Sequence, residues 1–501
     1  MIDTQTVALS HGPAEWRKTA FAMAMFVIAA GMLAITLDLL DRPTQAVVWA
    51  GLALASYAMG LLALIAIRET TGFGLAQWRF GPWIMLWYCV AFGLATTAWN
   101  QPQTGIPAQI AISSVLRALG FVVAGMTLWA LGYFIGPGRL VRKAAISRLG
   151  WLSRHYAPEV RSRSVPWILF GIGTIASLGS AVTTGRFGYV GNVAPLVTTA
   201  SGYDHILGLL ALCSPLAVAA SALQVFRERV PGSRITLICL VAAELPVGLA
   251  SGVKETTITT VLAVVIPFSA ARRRLPKAAL TASLLGFLII VIPFTLVYRD
   301  AARNGATTIT TRQAIDMVPS VLGQTVSQHQ ISAALPASAG YLLGRMREID
   351  ATAIILQRTP SQIGFLSPLH LVIDPLSAIV PRAIWPGKPI LSTGYQISQE
   401  YYGLPSTNYT STAISQKADL YRYGGWIPML AGMFVLGLGV RLIDEVFDIR
   451  ANPQAIFMTL LLLPTLMKNE VGWVPILASL PSVAVIWLLG VAITFRRRRP
   501  A

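Results

Sequence analysis

Residues 278–303 read AALTASLLGFLIIVIPFTLVYRDAAR. Twenty apolar or small residues, 278–297, run without a charge and then stop at Tyr298, Arg299, Asp300 and Arg303. A helix rises about 1.5 Å per residue, so such a run matches the ~30 Å hydrocarbon core of a bilayer. The cluster Arg272, Arg273, Arg274 and Lys277 stands immediately before it. One segment thus displays an apolar span with a basic entry and an aromatic–basic exit.

The same pattern recurs on either side. Apolar segments fall at 19–40, 46–67, 80–99, 115–136, 165–185, 205–226, 235–253, 256–271, 278–297, 425–441, 454–467 and 474–495, about twelve in all. Two of these, 256–271 and 454–467, are short for a full crossing. The first is expected to be a retained helix rather than a cleaved leader. Composition agrees: 54% of the 501 residues are hydrophobic and only 12% charged, about half the usual charged share. Mean hydropathy is +0.63. A soluble enzyme and a disordered chain both need more charge than this. The expected fold is an all-α polytopic membrane protein of about 12 transmembrane helices. An N-terminal bundle of about nine spans occupies 1–297. One large extracytoplasmic loop covers 298–424, and three further spans with a basic tail cover 425–501.

The formal charge of +18 comes from 39 Lys+Arg against 21 Asp+Glu. In a soluble protein it would suggest nucleic acid. Here it reports topology, because Lys and Arg collect in cytoplasmic loops. With both termini in the cytoplasm, most of the basic residues fall inside: Arg17 and Lys18, the run Arg139 to Arg163, Arg227 to Arg234, Arg272 to Lys277, and Arg496 to Arg499. No nucleic-acid partner is expected. The loop 298–424 departs from this rule, carrying ten basic and seven acidic residues on the outer side. Orientation gains nothing from cations there, so they are expected to bind something.

Within that loop, Arg299 and Arg303 are spaced i,i+4 and share a helix face that can grip a lipid phosphate. Snorkelling to headgroups is the plainer reading. GRMREIDATAIILQRTP, from Gly344 to Pro360, reads as an amphipathic helix with Arg345 one turn from Glu348, and with Arg347 and Asp350 nearby. IVPRAIWPGKP, from Ile379 to Pro389, is a rigid proline-fixed turn holding Arg382, Trp385 and Lys388. TSTAISQKADLYRYGGW, from Thr410 to Trp426, places Asp419 and Arg422 one turn apart, before a Gly424–Gly425 turn. A carboxylate among cations can act as a base or a sugar ligand, or simply form a salt bridge. Lys254 stands in the short outer turn between the seventh and eighth spans. Cys89, Cys213 and Cys239 lie in apolar runs, and the five histidines show no metal-ligand spacing. No metal and no cofactor are expected.

Taken in order, Gly252–Lys254, the Arg-rich helix, PRAIWPGKP and KADLYRYGGW resemble the bacterial oligosaccharide repeat-unit polymerases of the O-antigen polysaccharide polymerase (Wzy) type. Pro381, Arg382, Trp385, Pro386, Lys388 and Pro389 match the proline-flanked motif. Asp419, Tyr421 and Gly424 match the acidic–aromatic–glycine motif. The resemblance covers about Gly252 to Trp426. It implies a glycosyltransferase with a GT-C-like bundle, acting on the outer face of the bacterial cytoplasmic (inner) membrane. Its substrate would be a polyprenyl (undecaprenyl)-pyrophosphate-linked oligosaccharide, its product a surface polysaccharide or exopolysaccharide, and its partners a flippase and a chain-length regulator. It assigns Arg299, Arg303, Arg345, Arg347, Arg382 and Lys388 to pyrophosphate binding, with Lys254, Arg422 and Trp385 lining the substrate. Asp419 is then the base or acceptor-orienting group and Glu348 its rival. An O-antigen-ligase-like transferase, a lipid-linked-oligosaccharide flippase and a non-catalytic assembly partner are the competing expectations.

Overall fold

The computed structural model describes residues 13–68, 78–99, 110–188, 190–191, 203–303, 311–328, 331–380, 385, 393–405, 411–449, 452–467 and 472–498. The first half begins with α1 (Pro13–Asp38), α2 (Pro43–Arg68) and α3 (Phe80–Tyr88). The last of these runs on through a π turn (Cys89–Gly93) and a tighter 3-10 turn (Leu94–Ala98). Then come α4 (Ile112–Ile135), α5 (Arg139–His155), β1 (Tyr156–Val160) and α6 (Val165–Thr184), followed by the two-residue strands β2 (Arg186–Phe187) and β3 (Val190–Gly191). Next are α7 (Asp204–Ala211), α8 (Cys213–Leu223), α9 (Ser233–Ala250), α10 (Lys254–Arg272), α11 (Lys277–Gly286) and α12 (Ile292–Arg303). Six further helices are described in the following stretch: α13 (Thr311–Gln328), α14 (Ile331–Met346), α15 (Ile349–Arg358), α16 (His370–Ile379), α17 (Thr393–Glu400) and α18 (Gln416–Arg422). The chain ends with α19 (Trp426–Val446), α20 (Ala455–Met467), α21 (Trp473–Thr494) and β4 (Phe495–Arg497).

The protein is an all-α polytopic bundle with two small strand pairs added. Ten of its described helical segments are long and apolar enough to cross a membrane. The two short segments of the sequence are the ones that fall outside this set. The N-terminal turns of α10 carry Lys254, Glu255 and four threonines among residues 256–260, which dilute its hydropathy. Helix α20 has 13 residues and contains Pro464. At ~1.5 Å per residue it reaches only about 20 Å. Its side chains are nearly all buried, so protein rather than lipid surrounds it.

Large apolar side chains point outward from the bundle: Phe21, Met23 and Val27 on α1, Ile168, Ile175 and Val182 on α6, and Val485 on α21. In water such a surface would aggregate, whereas in a bilayer it is solvated by lipid tails. Inside, helices approach closely where small residues permit it. A Cβ on Gly132 of α4 would lie 2.1 Å from the Phe434 carbonyl oxygen of α19, and one on Gly437 would lie 2.0 Å from that of Trp129. These two glycines let the backbones of α4 and α19 touch. At the same end, Asp444 of α19 accepts hydrogen bonds from the Phe80 and Gly81 amides, at 2.6 and 3.0 Å, and from the Tyr133 hydroxyl, at 2.7 Å. Its carboxylate thereby caps the start of α3.

Strand β1 pairs antiparallel with β4. The Arg161 amide donates to Thr494 and the Arg498 amide to His155, extending the clasp beyond the strands. The Gln454 side chain and the Glu228 carboxylate bind the same strand, at Ala157 and Val160.

Candidate functional site

Several of the candidate side chains gather into two groups, the first of which takes Arg345 from α14 and the second of which starts at the break after α14. The first group is cationic. Lys254 is the first residue of α10, ahead of its apolar run, and its Nζ lies 4.7 Å from the centre of the Tyr341 ring of α14. Arg299, at the end of the span Lys277–Arg299, donates from Nε and Nη2 to the Gly252 carbonyl at 3.1 and 2.8 Å. Tyr298 donates to the Ala250 carbonyl at 2.6 Å. The turn itself needs glycine, because Gly252 has a φ of 64°. Arg345, one turn beyond Tyr341, is exposed. Partial burial, then Arg299 and Arg345, push the Lys254 ammonium down to about 8. Three cations from three helices therefore meet at the N-terminus of α10. The helix dipole adds further positive potential there. An anion is what this arrangement favours.

The second group is buried. Helix α14 ends at Met346 and α15 begins at Ile349, so Arg347 and Glu348 occupy a break between them. The ion pair forms between Arg347 and Asp350. Nε lies 3.0 and 3.1 Å from the two carboxylate oxygens, and Nη2 lies 2.9 Å from the second. Arg347 also donates to the Ala98 carbonyl, and its guanidinium lies over Trp99 at 5.2 Å. Burial raises the Asp350 carboxyl even against the attraction of Arg347. Glu348 accepts from the Trp87 indole at 2.9 Å.

Helix α18 inserts beside this group with all seven of its residues buried. The Ser415 side chain caps it, accepting from the Ala418 amide and meeting the Thr352 hydroxyl at 3.0 Å. Asp419 accepts from the Trp473 amide at 2.8 Å and from Arg422 at 3.4 Å. A Cβ on Gly472 would lie 2.4 Å from its Oδ2, so only glycine permits this approach. Burial raises the Asp419 carboxyl, opposed by Arg422 and the Trp473 amide. Arg422 also faces Glu400 at 3.7 Å and the Tyr401 ring at 5.7 Å. Gly424 and Gly425, with φ of 127° and 85°, turn the chain into α19.

Lys417 was not singled out by its sequence. Its side chain is wholly buried, with Nζ 3.9 Å from the Tyr88 ring centre and 4.0 Å from that of Phe92. That Nζ has no hydrogen-bond partner. Burial pulls its ammonium down to about 7, against the pull of Glu348. Its stem passes Gly125 of α4, where a Cβ would lie 2.8 Å from Lys417 Cδ. The sequence singles out its neighbours Asp419 and Arg422, and nothing local distinguishes Lys417 from the other basic residues of the stretch.

The structure thus brings together Lys254, Arg299 and Arg345, and separately Arg347 with Asp350 and Asp419 with Arg422. Glu348 lies beside the Lys417 niche. Trp385 is exposed. Arg303 ends α12, but its side chain lies outside the described residues, as do Arg382 and Lys388 altogether. Among the described residues no group of three His, Cys, Asp or Glu is arranged to hold a metal ion.

No curated protein and no solved structure matches the chain. A family model does match residues 192–447, from ahead of α7 to just past α19, and takes in every site residue named above except the α3, α4 and α21 walls. That is just over half of the 501 residues, and the protein belongs to the family described as Domain of unknown function (DUF8712).

Proposed function

We propose that this protein joins polyprenyl-pyrophosphate-linked oligosaccharide repeat units by glycosyl transfer on the outer face of the cytoplasmic membrane. The observation that carries the reading is the convergence of Lys254, Arg299 and Arg345 on the N-terminus of α10. In this reading α10 and α20 also cross, giving twelve crossings with both termini in the cytoplasm. The cationic group then lies on the outer side, where cytoplasmic charge bias does not explain it.

The chemistry follows from the charges. The anomeric C–O bond to the donor pyrophosphate breaks, and the pyrophosphate lipid leaves as an anion. A new C–O bond forms to an acceptor hydroxyl, whose proton passes to a carboxylate. Fixed cations stabilise the leaving charge without reorganising as it develops. Asp419 is the acceptor-orienting base. Arg347 and Arg422 serve by holding Asp350 and Asp419 in place, because their guanidiniums are engaged with those carboxylates. A flippase and a chain-length regulator are the partners this reaction calls for.

The test is an assay with purified protein and lipid-linked repeat units alone. The wild type should give a ladder of products, and Lys254→Ala combined with Arg345→Ala should abolish it at unchanged protein level. Full ladders from the double variant sink the reading. Transfer only after a different acceptor is added would point to a ligase instead. Unextended units left on the inner leaflet of a deletion strain would point to a flippase.

A further inference from the structure

Helices α1 and α2 lie antiparallel, so the start of α1 meets the end of α2, and Lys18 Nζ reaches the Ala66 carbonyl at 3.5 Å. A cleft of about 310 Å³ opens between them. Its floor on α2 is Met59, Leu62, Ala63 and Ala66. Their spacing of i, i+3, i+4 and i+7 puts them on one helix face about 10 Å long. Phe21 of α1 is the facing wall, with Arg17 one turn before it and Lys18 beside Arg17. The space exists because Ala63 and Ala66 are small. Deeper along the helices it closes. Phe26 packs on the Tyr57 ring, at 5.5 Å between centres, and a Cβ on Gly60 would lie 2.6 Å from the Phe26 ring. The cations at the open end are weakly engaged. Lys18 has three protons to donate and uses one, in the long bond to Ala66. Among the described residues none that lines the cleft is acidic, and none forms an ion pair with Arg17 or Lys18.

We propose that the cleft between α1 and α2 is a site for an anionic glycerophospholipid, its phosphate held by Arg17 and Lys18 and part of one acyl chain laid along the face from Ala66 to Met59. Four observations select that occupant. Two adjacent cations without a carboxylate partner favour a phosphate. The other five lining residues are apolar, so a free phosphate would leave most of the cleft unfilled. Trp16, exposed beside Arg17, is the residue type that settles at headgroup depth. A zwitterionic lipid would bring an ammonium toward the two cations, whereas a net-negative headgroup would not. The volume stands at the lower end of the ~300–1,000 Å³ of small-molecule pockets, enough for a length of chain rather than a whole lipid. None of these residues takes part in the proposed transfer reaction, so the site stands or falls apart from that reading.

The test uses full-length protein in phosphatidylcholine nanodiscs. A phosphatidylglycerol and a phosphatidylcholine, each with a diazirine in the acyl chain, are added separately at the same mole fraction. Labelled peptides are then read by mass spectrometry. Peptides of α1 and α2 should take the phosphatidylglycerol probe about tenfold more than the phosphatidylcholine probe. The peptide around Ile175, exposed in the middle of α6, should take both alike. Unlabelled phosphatidylglycerol should compete the enrichment away. Arg17→Gln with Lys18→Gln should bring the ratio at α1 and α2 down to that at Ile175. Ala66→Phe fills the cleft but keeps both cations, and should do the same. Leu62→Trp serves this purpose should the phenylalanine variant fail to elute as a single species. Enrichment that survives filling means that the cations only snorkel to bulk headgroups, and overturns the proposal. Equal wild-type labelling by the two probes also overturns it. Loss of the enrichment on adding inorganic phosphate alone would give the cations to a soluble anion and remove the lipid from the cleft.

Discussion

Lys417 carries the least compensated charge of the second group. Its depressed pKa means that the unfolded chain binds more protons than the folded one between about pH 7 and 10.5. Stability should therefore rise with pH across that window and be flat below it. The shift corresponds to something on the order of 5 kcal/mol. Replacement by Met removes the penalty, so Lys417→Met should melt higher at pH 7 and show a flatter profile from pH 7 to 10. Melting in detergent with a tryptophan-fluorescence readout measures both, and a wild-type curve that falls across this range contradicts the account. The Arg347–Asp350 pair behaves differently. Removing one partner leaves a buried charge, so Arg347→Met should cost about 3–5 kcal/mol, and Arg347→Met with Asp350→Leu should recover most of it. A double variant no more stable than the single one would show that the pair is not the unit that matters. Asp419 and Arg422 were legible in the sequence as an i,i+3 pair. Lys417, two residues before Asp419, was not. What distinguishes it is Tyr88, Phe92 and Gly125, which are distant in the chain and meet it only through helix packing.

Among the elements, the span register of the sequence carries over wherever the apolar run is long. It is less informative for α10 and α20, because hydropathy cannot tell a short crossing from a helix sheltered by its neighbours. The break between α14 and α15 was also hidden. Residues 344–360 read as one helix pairing Arg345 with Glu348, and no glycine or proline falls at the junction to mark its end. The break separates the two arginines, leaving Arg345 exposed near Lys254 and burying Arg347 against Asp350. The approach of α21 to α18 depends on one position. Gly472→Ala would force Asp419 away from the Trp473 amide. It should lower stability by about 1–3 kcal/mol, as expected for a buried hydrogen bond broken together with a clash. Asp419→Asn keeps an acceptor for that amide, so it should retain most of the stability but lose polymer formation. Full activity in Asp419→Asn removes the carboxylate from the mechanism.

At the scale of the molecule, the proposed orientation rests on the distribution of charge and is open to direct measurement. In a variant lacking Cys89, Cys213 and Cys239, a cysteine at Arg345 should react in intact cells with a membrane-impermeant maleimide. One at Arg497 should react only after the cells are opened. The reverse pattern would put the cationic group in the cytoplasm and withdraw the outer-face reaction. Fold class was legible because membranes impose few solutions, each with a long apolar signature. Long-range pairings had no such signature, and the strand clasp is the clearest case. Tyr156–Val160 has its partner at Phe495–Arg497, so during synthesis this strand waits unpaired with β4 until those residues have been made. The last residues of the described chain act as a latch on its first third. Until they are made, the helices between β1 and β4 can pack while the clasp that ties residues 156–160 to residues 495–497 stays open.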